Sequence, residues 1–307
     1  MLIESAIGDS YGGGFEYVSN EIVAKFNNAL EYRQHPNHTK ITPGKYTDDT
    51  QMALAIAEAI FDNDPWETES LAQRFVDVFK RDERTGYSSR LYHILKTVNN
   101  GSEFLQSIKA DSDRSGAAMR APPIGLFKNT KEVIERAKIQ AIVTHNSPLG
   151  ISAAVASALM THFFARGLGN KSDLGFFLEF YAEDNLAWDR PYKGQVGEKG
   201  WMSVMAAVTA IKETHSMADL LKKCVAFTGD VDTVAAIALA AASFSSEVEQ
   251  NIPQNLYDNL ENGTYGREYI EALDNQLLDK FGIKRPKKPV SDLLKKFDAL
   301  TVKTRKS

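Results

Sequence analysis

Apolar residues recur at intervals of three and four along almost the whole chain, and this spacing limits the fold more than any other feature. In the stretch GKYTDDTQMALAIAEAI the spacing is carried by Met52, Ile56, Ala59 and Ile60, as an amphipathic helix requires. Five further stretches follow the pattern: SLAQRFVDVFK, KEVIERAKIQAIV, SPLGISAAVASALMTHFFA, GWMSVMAAVTAIKE and DTVAAIALAAASF. The alternation typical of a half-buried strand is almost absent. The sequence therefore predicts an all-α fold, a compact orthogonal array of helices joined by short loops.

Length and charge describe an ordinary globular chain. At 307 residues, with 43% apolar residues, 25% charged residues and a net charge of −4, we expect one domain over residues 1–307. These values argue against disorder and against a nucleic-acid-binding surface across the whole molecule. The segment from about residue 284, KRPKKPVSDLLKKFDALTVKTRKS, is basic and interrupted by prolines. We expect a solvated tail there, with an anionic partner as the alternative.

The single cysteine, Cys224, excludes a disulfide framework and a thiolate metal cage, which favours a reducing, cytoplasmic location. Glu4 and Asp9 interrupt the first apolar stretch, so we expect no secretory signal. We also expect no apolar run of about 18 residues, and hence no membrane-spanning helix. A monomer is expected from the size and charge.

Two adjacent carboxylates, Asp48 and Asp49, lie between Thr47 and Thr50 at the start of an apolar helix. One acid at a helix N-terminus interacts favourably with the helix dipole, by about 0.3 to 1 kcal/mol. That effect does not explain a second acid followed at once by residues that must be buried.

A second acidic cluster repeats this arrangement. FTGDVDTVAAIALAAAS places Asp230, Asp232 and Thr233 directly before an apolar helix from Val234. Neighbouring carboxylates removed from water either take up protons or bind a cation. Their hard oxygen atoms suit Mg²⁺, Mn²⁺ or Ca²⁺, and two facing clusters would hold two ions about 3.5 to 4 Å apart. Helix capping by acids in solvated turns is the alternative, and the residues alone leave both interpretations open.

Five ordered segments resemble the successive motifs of the ADP-ribosylglycohydrolase family: AIGDSYGGGFEY, YTDDTQMALAIAEA, SGAAMRAPPIGLF, VTHNSPLGISAA and TGDVDTVAAIALAAAS. The family includes the dinitrogenase reductase-activating glycohydrolase and the arginine- and serine-specific ADP-ribosyl hydrolases. The resemblance extends from about residue 3 to about residue 245. It implies the all-α array of that family, a centre of two Mg²⁺ or Mn²⁺ ions, and hydrolysis of the glycosidic bond between ADP-ribose and an acceptor.

The resemblance also implies three sets of site residues. The metal ligands would be Thr47, Asp48, Asp49, Asp230, Asp232 and Thr233. The catalytic residues would be Glu16, Asp48, Asp49 and Asp232, with Glu16 acting in proton transfer or as a gate. The residues beside bound ADP-ribose would be Gly12, Gly13, Gly116, Ala117, Met119 and His145. A solvated loop is the alternative for Glu16, and a hydrogen bond to a neighbouring turn is the alternative for His145.

Several other residues keep two interpretations each. Arg120 would pair with a site carboxylate or a phosphate, or form a structural salt bridge. His35 and His38 have a spacing that suits a metal, although a polar loop explains them better. Three aromatic residues would stack on adenine or belong to the core: Trp188, Tyr192 and Trp201. Thr228 replaces a glycine that many relatives have before the second acidic cluster, a change that would reshape the pocket wall and with it the acceptor specificity.

Two other classes of protein compete with this interpretation. CVAFTGDVDTV fits the aspartate pattern of haloacid-dehalogenase-type phosphatases, in which an apolar strand ends at a nucleophilic aspartate. Few residues follow the motif here, however, and the first acidic cluster would be unexplained. A non-catalytic ADP-ribose-binding or structural member of the fold, as found in the eye lens, is the second alternative. We favour an enzyme acting on an ADP-ribosylated protein or small molecule, with ADP-ribosyl-arginine as the first choice.

Overall fold

Helices form throughout the chain, as the apolar spacing predicts. The computed structural model describes residues 1–182 and 184–286. Its α-helices are α1 (Leu2–Gly13), α2 (Asn20–Phe26), α3 (Asp48–Asp62), α4 (Thr68–Arg81), α5 (Ser89–Thr97), α6 (Gly101–Ser107), α7 (Gly116–Met119), α8 (Thr130–Ile142), α9 (Pro148–Ala165), α10 (Leu174–Tyr181), α11 (Gly200–Glu213), α12 (Met217–Ala226), α13 (Val231–Ala242), α14 (Gln254–Asp258) and α15 (Arg267–Phe281). Short 3₁₀ helices span Pro122–Leu126 and Lys171–Asp173. The described residues contain isolated β-bridges but no strand, so the all-α prediction is confirmed.

Helix α13 lies at the centre of the array, and every one of its residues is buried. It packs closely on α1 because two glycines one turn apart on α1 face its backbone. A Cβ atom on Gly8 would lie 2.7 Å from the Ala235 carbonyl carbon, and one on Gly12 would lie 2.4 Å from Asp232 Cα. Real Cβ contacts are longer, so only glycine permits this approach. We call this close contact, at Gly8 and Gly12, the seam between α1 and α13. It holds the start of α13 against the end of α1.

Helix α9 corrects one expectation from the sequence. Within the described part of the chain, it is the one helix that is long and apolar enough to cross a membrane, with a mean hydropathy of 1.4 over 18 residues. The expectation that no such run exists is wrong. In the folded protein, 78% of this helix is buried, mainly against α7, α8, α11 and the first 3₁₀ helix.

The basic segment predicted as a tail lies mostly outside the described residues, which end at residue 286. Arg285, near its start, donates hydrogen bonds of 2.5 Å to Glu4 and to Asp274. The solvated tail beyond it stays a prediction.

The segment before the second acidic cluster is helical. Helix α12 ends at Ala226, and Asp230 then forms the N-cap position of α13. A phosphatase of the haloacid-dehalogenase type requires a strand that ends at the first aspartate, so that interpretation is wrong.

Candidate active site

A cleft of about 650 Å³ brings the two acidic clusters together. Five of the carboxylates that line it are Glu16, Asp48, Asp49, Asp230 and Asp232. Glu16 follows the end of α1, and the two pairs of aspartates begin α3 and α13. The clusters that the sequence places far apart therefore face one cavity, as their matching composition predicts.

Asp9, which the sequence marks only as a charge within the first apolar stretch, organises the start of α3. Its carboxylate is fully buried and accepts hydrogen bonds from the amides of Thr47 (2.9 Å) and Thr50 (3.0 Å). It also accepts hydrogen bonds from their hydroxyls, at 2.7 Å from Thr47 and 2.5 Å from Thr50. A carboxylate on another helix thus supplies the N-terminal cap of α3. Asp48 and Asp49 are therefore not needed for capping.

The Asp48 carboxylate packs over a glycine in the loop between α4 and α5. The Asp48 amide donates to the Thr85 carbonyl at 3.1 Å. Gly86, the next residue, has a φ of +107°, and a Cβ atom added to it would lie 1.9 Å from Asp48 Oδ1. Any side chain at position 86 would therefore displace the carboxylate.

The carboxylates perturb one another strongly. Burial raises the pKa of Asp48, Asp49 and Asp232 well above the usual value, and the neighbouring carboxylates raise each one further. Burial, with Asp230 and other nearby acids, raises the pKa of Glu16 to about 7. Burial also raises the pKa of Asp230, although hydrogen bonds from nearby side chains oppose the shift. Crowded acids of this kind are typical of functional sites.

The set of donors fits a divalent metal. Ligand oxygens of Glu16, Asp230 and Asp232 lie within 4.8 Å of one another. Asp49 Oδ1 is buried and has no hydrogen-bond partner. Among the residues that the structure describes, none of the five carboxylates is paired with a lysine or arginine. Buried carboxylates without a counter-ion require protons or a cation, and oxygen donors of this type suit hard divalent ions.

The residues predicted to contact ADP-ribose divide into two groups. Those that line the cleft are Gly116, Met119 and His145. Those that lie away from its lining are Gly12, Gly13 and Ala117. The two glycines belong to the end of α1, where Gly12 meets the backbone of Asp232. Gly12 therefore lies outside the cleft lining, where it allows α1 to pack closely on the start of α13.

A sequence model of the ADP-ribosylglycohydrolase family matches residues 1–287. The chain belongs to the ADP-ribosylglycohydrolase family. The resemblance carried by the five ordered segments is thus confirmed, and the two acidic clusters that it marks as the site are the ones that meet in the cleft.

Named relatives include both animal and bacterial proteins. The chain is 28% identical to ADP-ribosylhydrolase ARH3 of Xenopus tropicalis over 178 residues, which are 54% of this chain and 49% of that protein. It is 25% identical to the ADP-ribosyl-[dinitrogen reductase] glycohydrolase of Rhodospirillum rubrum over 253 residues, 78% of this chain and 82% of that protein. Against three of the vertebrate ARH3 proteins, the match spans 49%, 64% and 47% of their length.

A solved structure described as an ADP-ribosylglycohydrolase-related protein complex shares the fold. Its TM-score is 0.70 over 91% of this chain and 95% of that chain, at 22% sequence identity. Likeness at this identity shows the fold alone.

In this family member, the aromatic residues proposed for adenine stacking do not line the cleft. They are Trp188, Tyr192 and Trp201. Trp188 is fully buried, and its indole N–H donates to Asp184 at 3.2 Å. Tyr192 packs on Phe227. Hydropathy alone leaves a core position and a pocket position open for such residues, and the structure favours the core for Trp188.

Tyr17 lines the cleft instead, and the sequence analysis missed it. Its side chain is 47% exposed, and its φ of +49° is in the left-handed region, which is uncommon for a residue with a bulky side chain. The Tyr17 amide donates to the Gly229 carbonyl at 3.0 Å. This bond ties the loop that carries Glu16 to the residue before Asp230. Thr228, the residue before Gly229, also has a left-handed backbone conformation, with a φ of +63°.

His35 holds the same loop from the other side. Its Nδ1 accepts from the amides of Asn37 and His38, both at 3.0 Å, so its proton lies on Nε2. That N–H donates to the Glu16 carbonyl at 2.8 Å. The loop interpretation of the two histidines is correct, but His35 is buried and has a defined part in placing Glu16.

Proposed function

We propose that the protein hydrolyses the glycosidic bond between ADP-ribose and an acceptor, with the help of divalent metal. One observation carries the proposal: five crowded carboxylates converge in a cleft of about 650 Å³ in a member of this family. The volume is within the range of pockets that hold drug-sized ligands. Neither helix capping nor ion pairing accounts for the carboxylates.

We propose two Mg²⁺ or Mn²⁺ ions as the cofactor. The residues that would hold them are Asp48, Asp49, Asp230 and Asp232, with oxygens of Thr47 and Thr233. When bound, such ions orient sugar hydroxyls and lower the pKa of a bound water. The Thr47 hydroxyl gives its hydrogen to Asp9, which leaves an oxygen lone pair for a cation.

The chain's own groups suit the reaction at the anomeric carbon. Glycoside hydrolysis passes through an oxocarbenium-like state that carries positive charge on the sugar. The carboxylates placed by α3 and α13 would stabilise that charge. Glu16, which lies beside Asp230 and Asp232 in the cleft, would accept or deliver a proton.

We propose arginine-linked ADP-ribose as the preferred substrate. The half-exposed Tyr17 ring lines the cleft beside the Glu16 carboxylate. A guanidinium stacks on aromatic faces and pairs with carboxylates. These residues therefore offer more to an arginine side chain than to a serine hydroxyl.

Release of free ADP-ribose from separate arginine-linked and serine-linked substrates tests the function. We expect metal-dependent release with Mg²⁺ or Mn²⁺, faster from the arginine linkage, and none with excess chelator. Binding of ADP-ribose without release from either substrate would favour the non-catalytic alternative. Release that persists in chelator would contradict the metal proposal.

Tyr17→Ala is expected to raise KM for an arginine-linked substrate about tenfold, the equivalent of about 1.4 kcal/mol, because it removes the stacking face. The kcat value should change less than threefold, since the carboxylates are untouched. Tyr17→Phe keeps the ring and should behave like the wild type. Steady-state kinetics on both linkages measure these effects, and an unchanged KM in Tyr17→Ala would argue against an acceptor contact.

A further inference from the structure

His145 presents an unsatisfied polar atom to the cleft. Its side chain lines the cavity yet is only 5% exposed, and its Nε2 atom is buried without a hydrogen-bond partner. The ring lies beside Gly116, where an added Cβ atom would be 3.3 Å from Nε2. Burying a polar atom without a partner costs free energy, so a ligand that pairs with Nε2 recovers that cost.

A chain of hydrogen bonds determines which ring nitrogen carries the proton. Arg120 Nη2 lies 2.8 Å from Thr144 Oγ1, and Thr144 Oγ1 lies 2.6 Å from His145 Nδ1. A guanidinium can only donate, so the Thr144 oxygen accepts from Arg120. The hydroxyl hydrogen then goes to His145 Nδ1, the remaining partner of that oxygen. His145 Nδ1 is therefore an acceptor, and Nε2 bears the hydrogen.

The Arg120 guanidinium, which begins this series of hydrogen bonds, is in an unusual environment for a charged group. Arg120 is 1% exposed and donates to the side chain and the carbonyl of Gln140, at 2.6 and 2.9 Å. Its guanidinium lies over the Phe75 ring, 4.6 Å from the centroid. The structure gives it no carboxylate partner among the described residues, so neither the salt bridge nor the site-carboxylate pairing considered from the sequence forms. Burial, helped by the Arg120 charge, lowers the pKa of His145 to about 3.

The family resemblance already implies that His145 lies beside bound ADP-ribose. We propose that Arg120 and Thr144 are positioning residues that hold the His145 imidazole neutral with its proton on Nε2, so that this N–H donates to the nucleotide. His145 then takes no part in proton transfer. Hydrogen bonds in a chain polarise one another, so a guanidinium at the far end strengthens Nε2–H as a donor. An anionic phosphate oxygen is the acceptor that gains most. The identity of the ligand, ADP-ribose, rests on the proposed function; the proton position does not.

The proton position can be read in the unaltered protein. Imidazole ¹⁵N chemical shifts distinguish protonated from bare ring nitrogens, and the His145 signals are assigned by their loss in His145→Ala. We expect a protonated Nε2 and a bare Nδ1 that do not change between about pH 5 and pH 9. A protonated Nδ1, or a doubly protonated ring in that range, would overturn the proposal.

Thr144 provides the matched variants. Thr144→Val keeps the shape and removes the hydroxyl, whereas Thr144→Ser keeps the hydroxyl. We expect Thr144→Val to populate the tautomer with a proton on Nδ1 and to weaken ADP-ribose binding about tenfold, while Thr144→Ser stays within about twofold of the wild type. Thr161→Val is the control, because the Thr161 hydroxyl is also buried but has no partner and does not line the cleft.

A double-mutant cycle separates positioning from general packing. If Thr144 acts through His145, then Thr144→Val should change the ADP-ribose Kd less than twofold in a His145→Ala background. Additive effects would show that Thr144 acts independently and would overturn its assignment. If the binding results are as expected but no hydrolysis is detected, the proposed reaction is wrong and the role of His145 stands. If the wild type binds no ADP-ribose, the assignment of His145 Nε2–H as a donor to the nucleotide is overturned.

Discussion

Asp49→Asn is expected to reduce release of ADP-ribose by about 10³-fold or more, on the scale of losing a main electrostatic contributor to a transition state. Asp49 is 4% exposed, and one of its oxygens is buried without a partner. Asparagine keeps the size of the side chain but removes the negative charge that a cation requires. The metal-free protein should unfold at the same or a higher temperature, because one charge leaves a group of mutually repelling carboxylates.

Asp219→Asn is the matched control for Asp49→Asn. Asp219 also occupies the first turn of a helix, but it is exposed and paired with Lys222. Its substitution should leave activity unchanged. The measurements are initial rates at saturating Mn²⁺ or Mg²⁺, metal affinity by calorimetry, and thermal unfolding with and without chelator. An Asp49→Asn protein with full activity and full metal affinity would refute the assignment of Asp49.

Gly86→Ala is expected to lower activity at least about 100-fold, although position 86 contributes no functional group. The added methyl carbon would lie 1.9 Å from Asp48 Oδ1, a distance that no Cβ contact tolerates. The Asp48 amide is hydrogen-bonded to the adjacent loop, so the backbone is held and the carboxylate must rotate out of its position. Metal affinity should fall together with activity.

Gly194→Ala separates this contact from backbone strain. Gly194 has a φ of +93°, close to the +107° of Gly86, but no atom lies within 4 Å of an added Cβ there. Both variants should lose about 1 kcal/mol of stability from strain, and only Gly86→Ala should lose activity. Equal losses of activity in the two variants would show that strain, and not the displaced carboxylate, is responsible.

The helices were predictable from the sequence because apolar spacing is local. The convergence of the acidic clusters was also predictable, since each cluster had more carboxylates than a helix start explains. Asp9 and Gly86 were not, because their importance depends on residues distant in sequence. Asp9 caps α3 from α1, and Gly86 matters only because Asp48 lies over it.

The residues predicted to contact the substrate were placed less accurately than the carboxylates. Gly12 and Gly13 were expected to contact substrate, yet they end α1 and lie away from the cleft lining. No apolar periodicity in the sequence indicates Tyr17, because its position depends on a left-handed backbone conformation and on one hydrogen bond to the Gly229 carbonyl. The single domain, the cytoplasmic location and the monomeric state stay predictions.

The seam between α1 and α13 joins parts of the chain that a ribosome makes at very different times. Helix α1 ends at residue 13, whereas α13 begins at residue 231. The two glycines of α1 have no partner until α13 has left the exit tunnel, and contacts between such distant segments form late in folding. Asp48 and Asp49 are therefore synthesised long before Asp230 and Asp232, the carboxylates that they meet in the cleft. A chain that ends before residue 230 contains Glu16, Asp48 and Asp49 but lacks Asp230 and Asp232, so it cannot assemble the cluster of carboxylates in the cleft.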